Sequence, residues 1–270
     1  MITALLNGVK LRAADRFWRL PRAVAAAASD TRMQEAREAL LVSGCCVVPD
    51  FLDAPTVDLL ATKAAALYST HAQYVSLESK GSDRRIYGAD RVCSELELQG
   101  PMDWVDALSR AFYLAAQVPW FQMLGRITYS GDNLGSGSGW HRDSPFSHQF
   151  KAILYLSDVS EENGPFEYLP GSHRFERLRL TSRLLNVPLH KYRFSDEQVE
   201  ELERLSGTPR MSVIGRRGSL VLIDSRGLHR GRPLRSGERM AVTRYYFPRR
   251  IPDGFATAYP LTGDRQREGV

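Results

Sequence analysis

The chain has 270 residues, 43% hydrophobic and 25% charged, with a formal net charge of +5. That balance suits a folded globular protein with a sizeable core and excludes a disordered or fibrous chain. No stretch reaches the roughly 20 uncharged apolar residues of a membrane span, and no long arginine-rich run interleaved with aromatics favours a nucleic-acid partner.

The opening MITALLNGVKLRAADRFWRL carries charges throughout and lacks the apolar run of a secretory signal. Ser29–Gly44, SDTRMQEAREALLVSG, has a Ser/Asp start, helix formers and a glycine stop, and predicts a helix. CCVVPDFL follows as a short β-branched strand ended by proline. Asp53–Ala72 and Pro101–Val118 each show apolar residues at helical spacing near an early proline. Cys45, Cys46 and Cys93, two of them adjacent, argue against a disulfide framework and for reduced thiols in a cytoplasmic protein.

After residue 120 the pattern changes to short β-type runs: LGRITYS, KAILYLSDV, PFEYLP, GSLVLID and AVTRYYFP, separated by Gly/Pro/Asn turns. Such spacing predicts a sandwich or barrel. Residues 174–217 interrupt it with an Arg/Leu-rich insertion in which Ser195–Leu205 reads as a capped helix. The expected fold class is α+β, one domain over residues 1–270. In it a mainly helical layer (1–119) supports a double-stranded β-helix, a jelly-roll or cupin-like barrel, over 120–250.

WHRDSPF, residues 140–146, sets His141 and Asp143 two positions apart. In an extended chain they point to one face and Arg142 to the other. A third metal ligand would come from His148, His173, His190 or His229. His229 stands out because it follows an apolar strand at the glycine-rich bend IDSRGLHRGRP. Two imidazoles and a carboxylate on one face of an ion leave the rest of it open, as non-haem Fe(II) requires when it binds a cosubstrate and dioxygen. Arg239, in GERMAVTRYYFP, can grip a carboxylate in bidentate fashion; Arg232, Arg235 and Arg244 are its rivals.

WHRD, FKAILYLSDVSEENGPFEYLPGSHR and HRGRPLRSGERMAV, in that order over residues 120–248, resemble the phytanoyl-CoA dioxygenase family of Fe(II)- and 2-oxoglutarate-dependent oxygenases. The resemblance implies that His141, Asp143 and His229 ligate Fe(II). It also implies that Arg239, in its R-x-A setting, pairs with the distal carboxylate of 2-oxoglutarate, with Tyr129 and Asn133 as further cosubstrate contacts. Family relatives that halogenate carry a small residue in place of the carboxylate, so Asp143 implies hydroxylation of a small-molecule substrate with dioxygen. Arg142, Ser144 and His148 follow the ligands and are candidate substrate contacts. Arg84, Arg85 and Arg91, with the insertion, are candidates to frame an entrance for an anionic group. Two other readings stand beside this one: a cupin-like metal enzyme without 2-oxoglutarate, and a non-catalytic small-molecule-binding barrel.

Overall fold

Among the residues described by the computed structural model (31–78, 81–131, 133–145 and 147–262), ten strands form two antiparallel sheets. The larger runs in the order β1 (Cys45–Val48), β8 (Leu220–Asp224), β5 (Phe150–Tyr155), β10 (Glu238–Tyr246), β4 (Trp120–Thr128), β3 (Asp83–Tyr87) and β2 (Val75–Glu78). The smaller holds β7 (Met211–Val213), β6 (Phe166–Tyr168) and β9 (His229–Gly231). They are the two walls of a double-stranded β-helix, tied together where the Tyr155 hydroxyl donates to the Val213 carbonyl at 3.0 Å.

Strand alternation decides what each wall faces. Along β5, Phe150, Ala152 and Leu154 enter the main core, whereas Lys151, Ile153 and Tyr155 line the cavity between the sheets. Along β10, Met240, Val242 and Tyr246 face the core while Arg239, Ala241, Thr243 and Tyr245 face the cavity. Three helices cover the outer face of the large sheet: α1 (Thr31–Val42), α2 (Ala54–Thr70) and α3 (Asp103–Tyr113). Leu40, Leu60, Leu67, Leu108 and Phe112 from these helices join Leu154, Leu220, Leu222 and Val242 from the sheet in one buried cluster. Truncating any of the leucines to alanine would cost about 2–5 kcal/mol. Asp53 caps α2 by accepting the Thr56 N–H at 2.8 Å, and Pro55 sits in the first turn.

The N-terminal third is less helical than its sequence suggests, because β2 and β3 add two strands to the large sheet. DRRIY hides its strand character behind charge: Asp83 and Arg85 occupy the cavity face and Ile86 the core face. The Ser29–Asp30 start of the first helix, and the N-terminal stretch before it, lie outside the described residues.

Between β6 and β7 the insertion forms α4 (Phe175–Leu184) and α5 (Asp196–Ser206). The Ser195 and Gln198 pair makes a complete capping box on α5. Met211–Val213, expected inside the insertion, is the barrel strand β7 paired with β6. Three apolar-edged residues after Arg210 are too short a run to announce themselves. The short helix α6 (Asp253–Ala258) follows the barrel. No helix among the described residues is long and apolar enough to cross a membrane.

Candidate metal centre

His141 lies just outside the named strands, bridged to His229 on one side and to Arg193 of the insertion on the other. Its N–H donates to the His229 carbonyl at 2.9 Å, and the His229 N–H returns the bond at 2.8 Å. This reciprocal pair sets the two imidazoles side by side, ring centroids 4.4 Å apart. Each Nδ1 then meets the carbonyl two residues earlier at 2.9 Å, Gly139 for His141 and Gly227 for His229. A carbonyl only accepts, so each Nδ1 carries the proton and each Nε2 keeps its lone pair for the cavity. Gly137 makes this possible: at φ +85° its missing Cβ would stand 2.3 Å from His141 Cε1.

Asp143 sits on the bend beyond the bridge, held through its N–H to the Ser225 carbonyl at 3.0 Å. Its Oδ1 lies 3.7 Å from His141 Nε2, and its Oδ2 meets the Lys151 ammonium. One atom from each of His141, Asp143 and His229 falls within 4.8 Å of the others. Burial pushes His229 down to about 3, helped by His141 beside it, and burial lowers His141 as well. Burial alone would raise Asp143, yet Lys151, His229 and His141 together hold it well below the usual carboxylate range. Two neutral imidazoles and an ionised carboxylate are thus ready to donate, and this donor set fits Fe(II) with one side open.

A cavity of about 300 Å³ runs past these three residues between the sheets. Arg239, paired in register with Ile127, also lines this cavity, its Nη2 close against Gly231. The guanidinium is 7% exposed and its Nη1 has no hydrogen-bond partner; burial lowers its affinity for a proton. Its rivals are each engaged by a carboxylate: Arg232 by Glu161 at 2.6 Å, Arg235 by Glu162 at 3.5 Å and Arg244 by Asp106 at 2.9 Å. A buried cation lacking a counter-anion is what the distal carboxylate of 2-oxoglutarate would satisfy. Toward the mouth, Arg85 is tied to Asp83 at 2.6 Å and Glu78 at 3.0 Å, and Arg193 donates to the Gly137 and Ser138 carbonyls, each at 3.0 Å.

The structure therefore brings His141, Asp143, His229 and Arg239 into one cavity, together with Arg85, and leaves Tyr129, Asn133, Arg142, Ser144 and His148 outside its lining. Tyr129 is 52% exposed. Asn133 is buried, but its side chain braces a turn, receiving the Gly135 and Leu234 N–H groups at 3.1 and 3.2 Å. Arg142 follows strand alternation to the opposite side, buried over Phe194 at 5.2 Å, where burial and then Arg226 draw it down to about 9. Ser144 turns to Ser147 at 3.3 Å, and His148 bonds Asp224. His173 is buried and His190 exposed, neither on the cavity; Arg84 and Arg91 also lie off it, whereas Arg85 lines it. Lys151, Arg193, Ser136 and Tyr155 line the cavity without having been anticipated. Of these, Lys151 left a trace in the sequence, as the lone charge in FKAILYL.

The family model described as Phytanoyl-CoA dioxygenase (PhyH) matches residues 41–241. No curated protein matches in sequence. Several solved structures share the fold. The non-heme alpha ketoglutarate dependent carbocyclase SnoK from nogalamycin biosynthesis is 20% identical, with TM-score 0.60 over 87% of this chain and 92% of that one. EctD from S. alaskensis, with 2-oxoglutarate and 5-hydroxyectoine, is 18% identical, with TM-score 0.57 over 79% and 74%. HygX from Streptomyces hygroscopicus, with nickel and 2-oxoglutarate bound, is 20% identical, with TM-score 0.57 over 80% and 87%.

Proposed function

This chain belongs to the phytanoyl-CoA dioxygenase family of iron- and 2-oxoglutarate-dependent oxygenases, and we propose that it hydroxylates an unactivated C–H bond of a small anionic molecule. His141, Asp143 and His229 would hold Fe(II) through two Nε2 atoms and a carboxylate oxygen. The bound iron, with 2-oxoglutarate and dioxygen, supplies the oxidising power that no side chain has.

The protein's own part is placement. Gly139 and Gly227 fix the tautomers of the two imidazoles. Arg239 would hold the distal carboxylate of 2-oxoglutarate, and its burial limits the water that competes for the guanidinium. The remaining space, in a cavity near the small end of ligand sites, admits a modest substrate group. The exposed Arg193 on the cavity lining, with no carboxylate among its described contacts, favours an anionic substrate. The free thiols of Cys45, Cys46 and Cys93 suit a reducing, cytoplasmic setting.

The observation behind this reading is one cavity holding both the donor triad and an arginine whose Nη1 is buried without a partner. The test is anaerobic. Fe(II) and then 2-oxoglutarate are added to metal-free protein while the visible charge-transfer band of an iron-bound 2-oxo acid is followed. The band should need both additions and should vanish in His229→Ala, whose far-ultraviolet circular dichroism should match wild type. Tight iron binding without a band would move the protein to the cupin-like class. No iron binding would make the triad structural.

A further inference from the structure

A lysine is out of place on the cavity face of β5, as its second residue. Lys151 sits between Ile223 of β8 and Tyr245 of β10, and its side chain is 8% exposed. Its Nζ stands 4.5 Å over the Tyr245 ring and reaches Oδ2 of Asp143. An apolar residue would fill this interior position at lower cost, because stripping water from an ammonium is expensive unless a partner compensates. The partner is a metal-ligand candidate, so the contact bears on the metal.

Asp143 needs something of this kind. His229 is held within β9 and His141 by its reciprocal backbone bonds, but Asp143 lies on a bend with its backbone anchored to Ser225. No strand neighbours set its carboxylate. With Oδ2 on Lys151, Oδ1 is the oxygen turned toward His141 Nε2, at 3.7 Å. A carboxylate free to use both oxygens on the ion would occupy one more position, and cosubstrate and dioxygen need positions on that same ion.

We propose that Lys151 is a positioning residue that engages Oδ2 and so restricts Asp143 to a single coordinating oxygen, keeping the rest of the ion open; this rests on the metal-centre reading above. The arrangement has a cost. An ammonium beside a dication repels it and competes for its carboxylate, so Lys151 lowers metal affinity while protecting cosubstrate access. The two effects have opposite signs, and a lysine that merely braces the sheet would not produce them.

The experiment uses Mn(II), which binds without turnover, on wild type, Lys151→Met and Lys151→Arg. Free Mn(II) is counted by electron paramagnetic resonance, and 2-oxoglutarate binding to the Mn(II)-loaded protein is measured by calorimetry. Lys151→Met should bind Mn(II) about threefold or more tighter and 2-oxoglutarate about tenfold weaker. Lys151→Arg, which keeps a cationic donor for Oδ2, should stay near wild type in both. If Lys151→Met fails to fold, Lys151→Leu, which likewise offers Oδ2 no donor, carries the same two expectations. Constants that move together, or do not move, overturn the positioning role. A wild type that binds neither Mn(II) nor 2-oxoglutarate overturns the metal-centre reading first and the role of Lys151 with it.

Discussion

Replacing Arg239 by leucine should weaken cosubstrate binding while leaving the empty protein at least as stable. The guanidinium is 7% exposed, so water screens it little, and its Nη1 has no acceptor to give up before 2-oxoglutarate arrives. A charge-assisted bidentate contact in such a place is worth roughly 2–3 kcal/mol, so the 2-oxoglutarate dissociation constant should rise roughly 30- to 150-fold. In the absence of cosubstrate the balance reverses. Burial of the cation disfavours its charged form, with Tyr155 and Asp83 offsetting only part of that, and an apolar replacement beside Ile127 removes the penalty. Anaerobic titration of the charge-transfer band gives the first quantity, and thermal unfolding without cosubstrate gives the second. A dissociation constant within threefold of wild type would refute the assignment of Arg239. A steep loss of melting temperature without cosubstrate would show that the guanidinium has a structural task.

Other perturbations probe the neighbouring parts. Gly231→Ala places a Cβ 2.6 Å from Arg239 Nη2; calorimetry should show 2-oxoglutarate binding weakened about tenfold with metal binding intact. Gly137→Ala drives a Cβ to 2.3 Å from His141 Cε1 and should show the converse, a loss of Mn(II) affinity by resonance titration. His173 is pushed by burial down to about 4 from 6.5, so the unfolded chain holds the extra proton between those values. The stability from keeping it neutral is complete above pH 6.5 and is lost as pH falls through that window, up to about 3 kcal/mol. Urea unfolding of His173→Leu should show a correspondingly flatter dependence between pH 4.5 and 7. Glu167 and Arg230 form an ion pair at 2.6 Å, 3% and 6% exposed; because Arg230 keeps Asp196 at 2.5 Å, Glu167→Ala should cost about 1–3 kcal/mol in the same assay.

What could be read from the chain depended on whether a residue's role is set locally. The apolar runs of β5, β8 and β10, and the capping box of α5, are written in consecutive residues and gave their elements directly. His141, Asp143 and His229 could be nominated because alternation and a glycine bend fix which way a side chain turns. Arg239 stands out through its local setting, while its lack of an ion-pair partner depends on Asp83, the nearby carboxylate, being engaged by Arg85. Cross-strand register was beyond reach. The contact of His148 with Asp224 and that of Lys151 with Asp143 join residues far apart or on different elements, so neither partnership is visible in consecutive residues. Asn133 misled for a related reason, since turn-bracing and ligand-binding asparagines look alike until their acceptors are known. β2 and β3 were masked by the charge that Asp83 and Arg85 place on the cavity wall.

The join between insertion and metal centre limits how this barrel can be re-engineered. Arg142 donates its N–H to the Tyr192 carbonyl at 2.9 Å, and Phe194 donates to Trp140 at 3.0 Å. Arg230 and Arg210, the latter adjoining β7, flank the Trp140 ring at 4.8 and 5.4 Å. Residues 192–194 thus lie alongside the histidine-bearing segment through an isolated bridge of Arg193 to His141, covering an edge of it. Grafting a foreign loop between β6 and β7 to change substrate scope must preserve this three-residue staple. Val199 and Leu202 of α5, buried with Trp140, Leu169 and Leu228, belong to the same chassis, so it is the outer faces of the flanking helices that are free to vary.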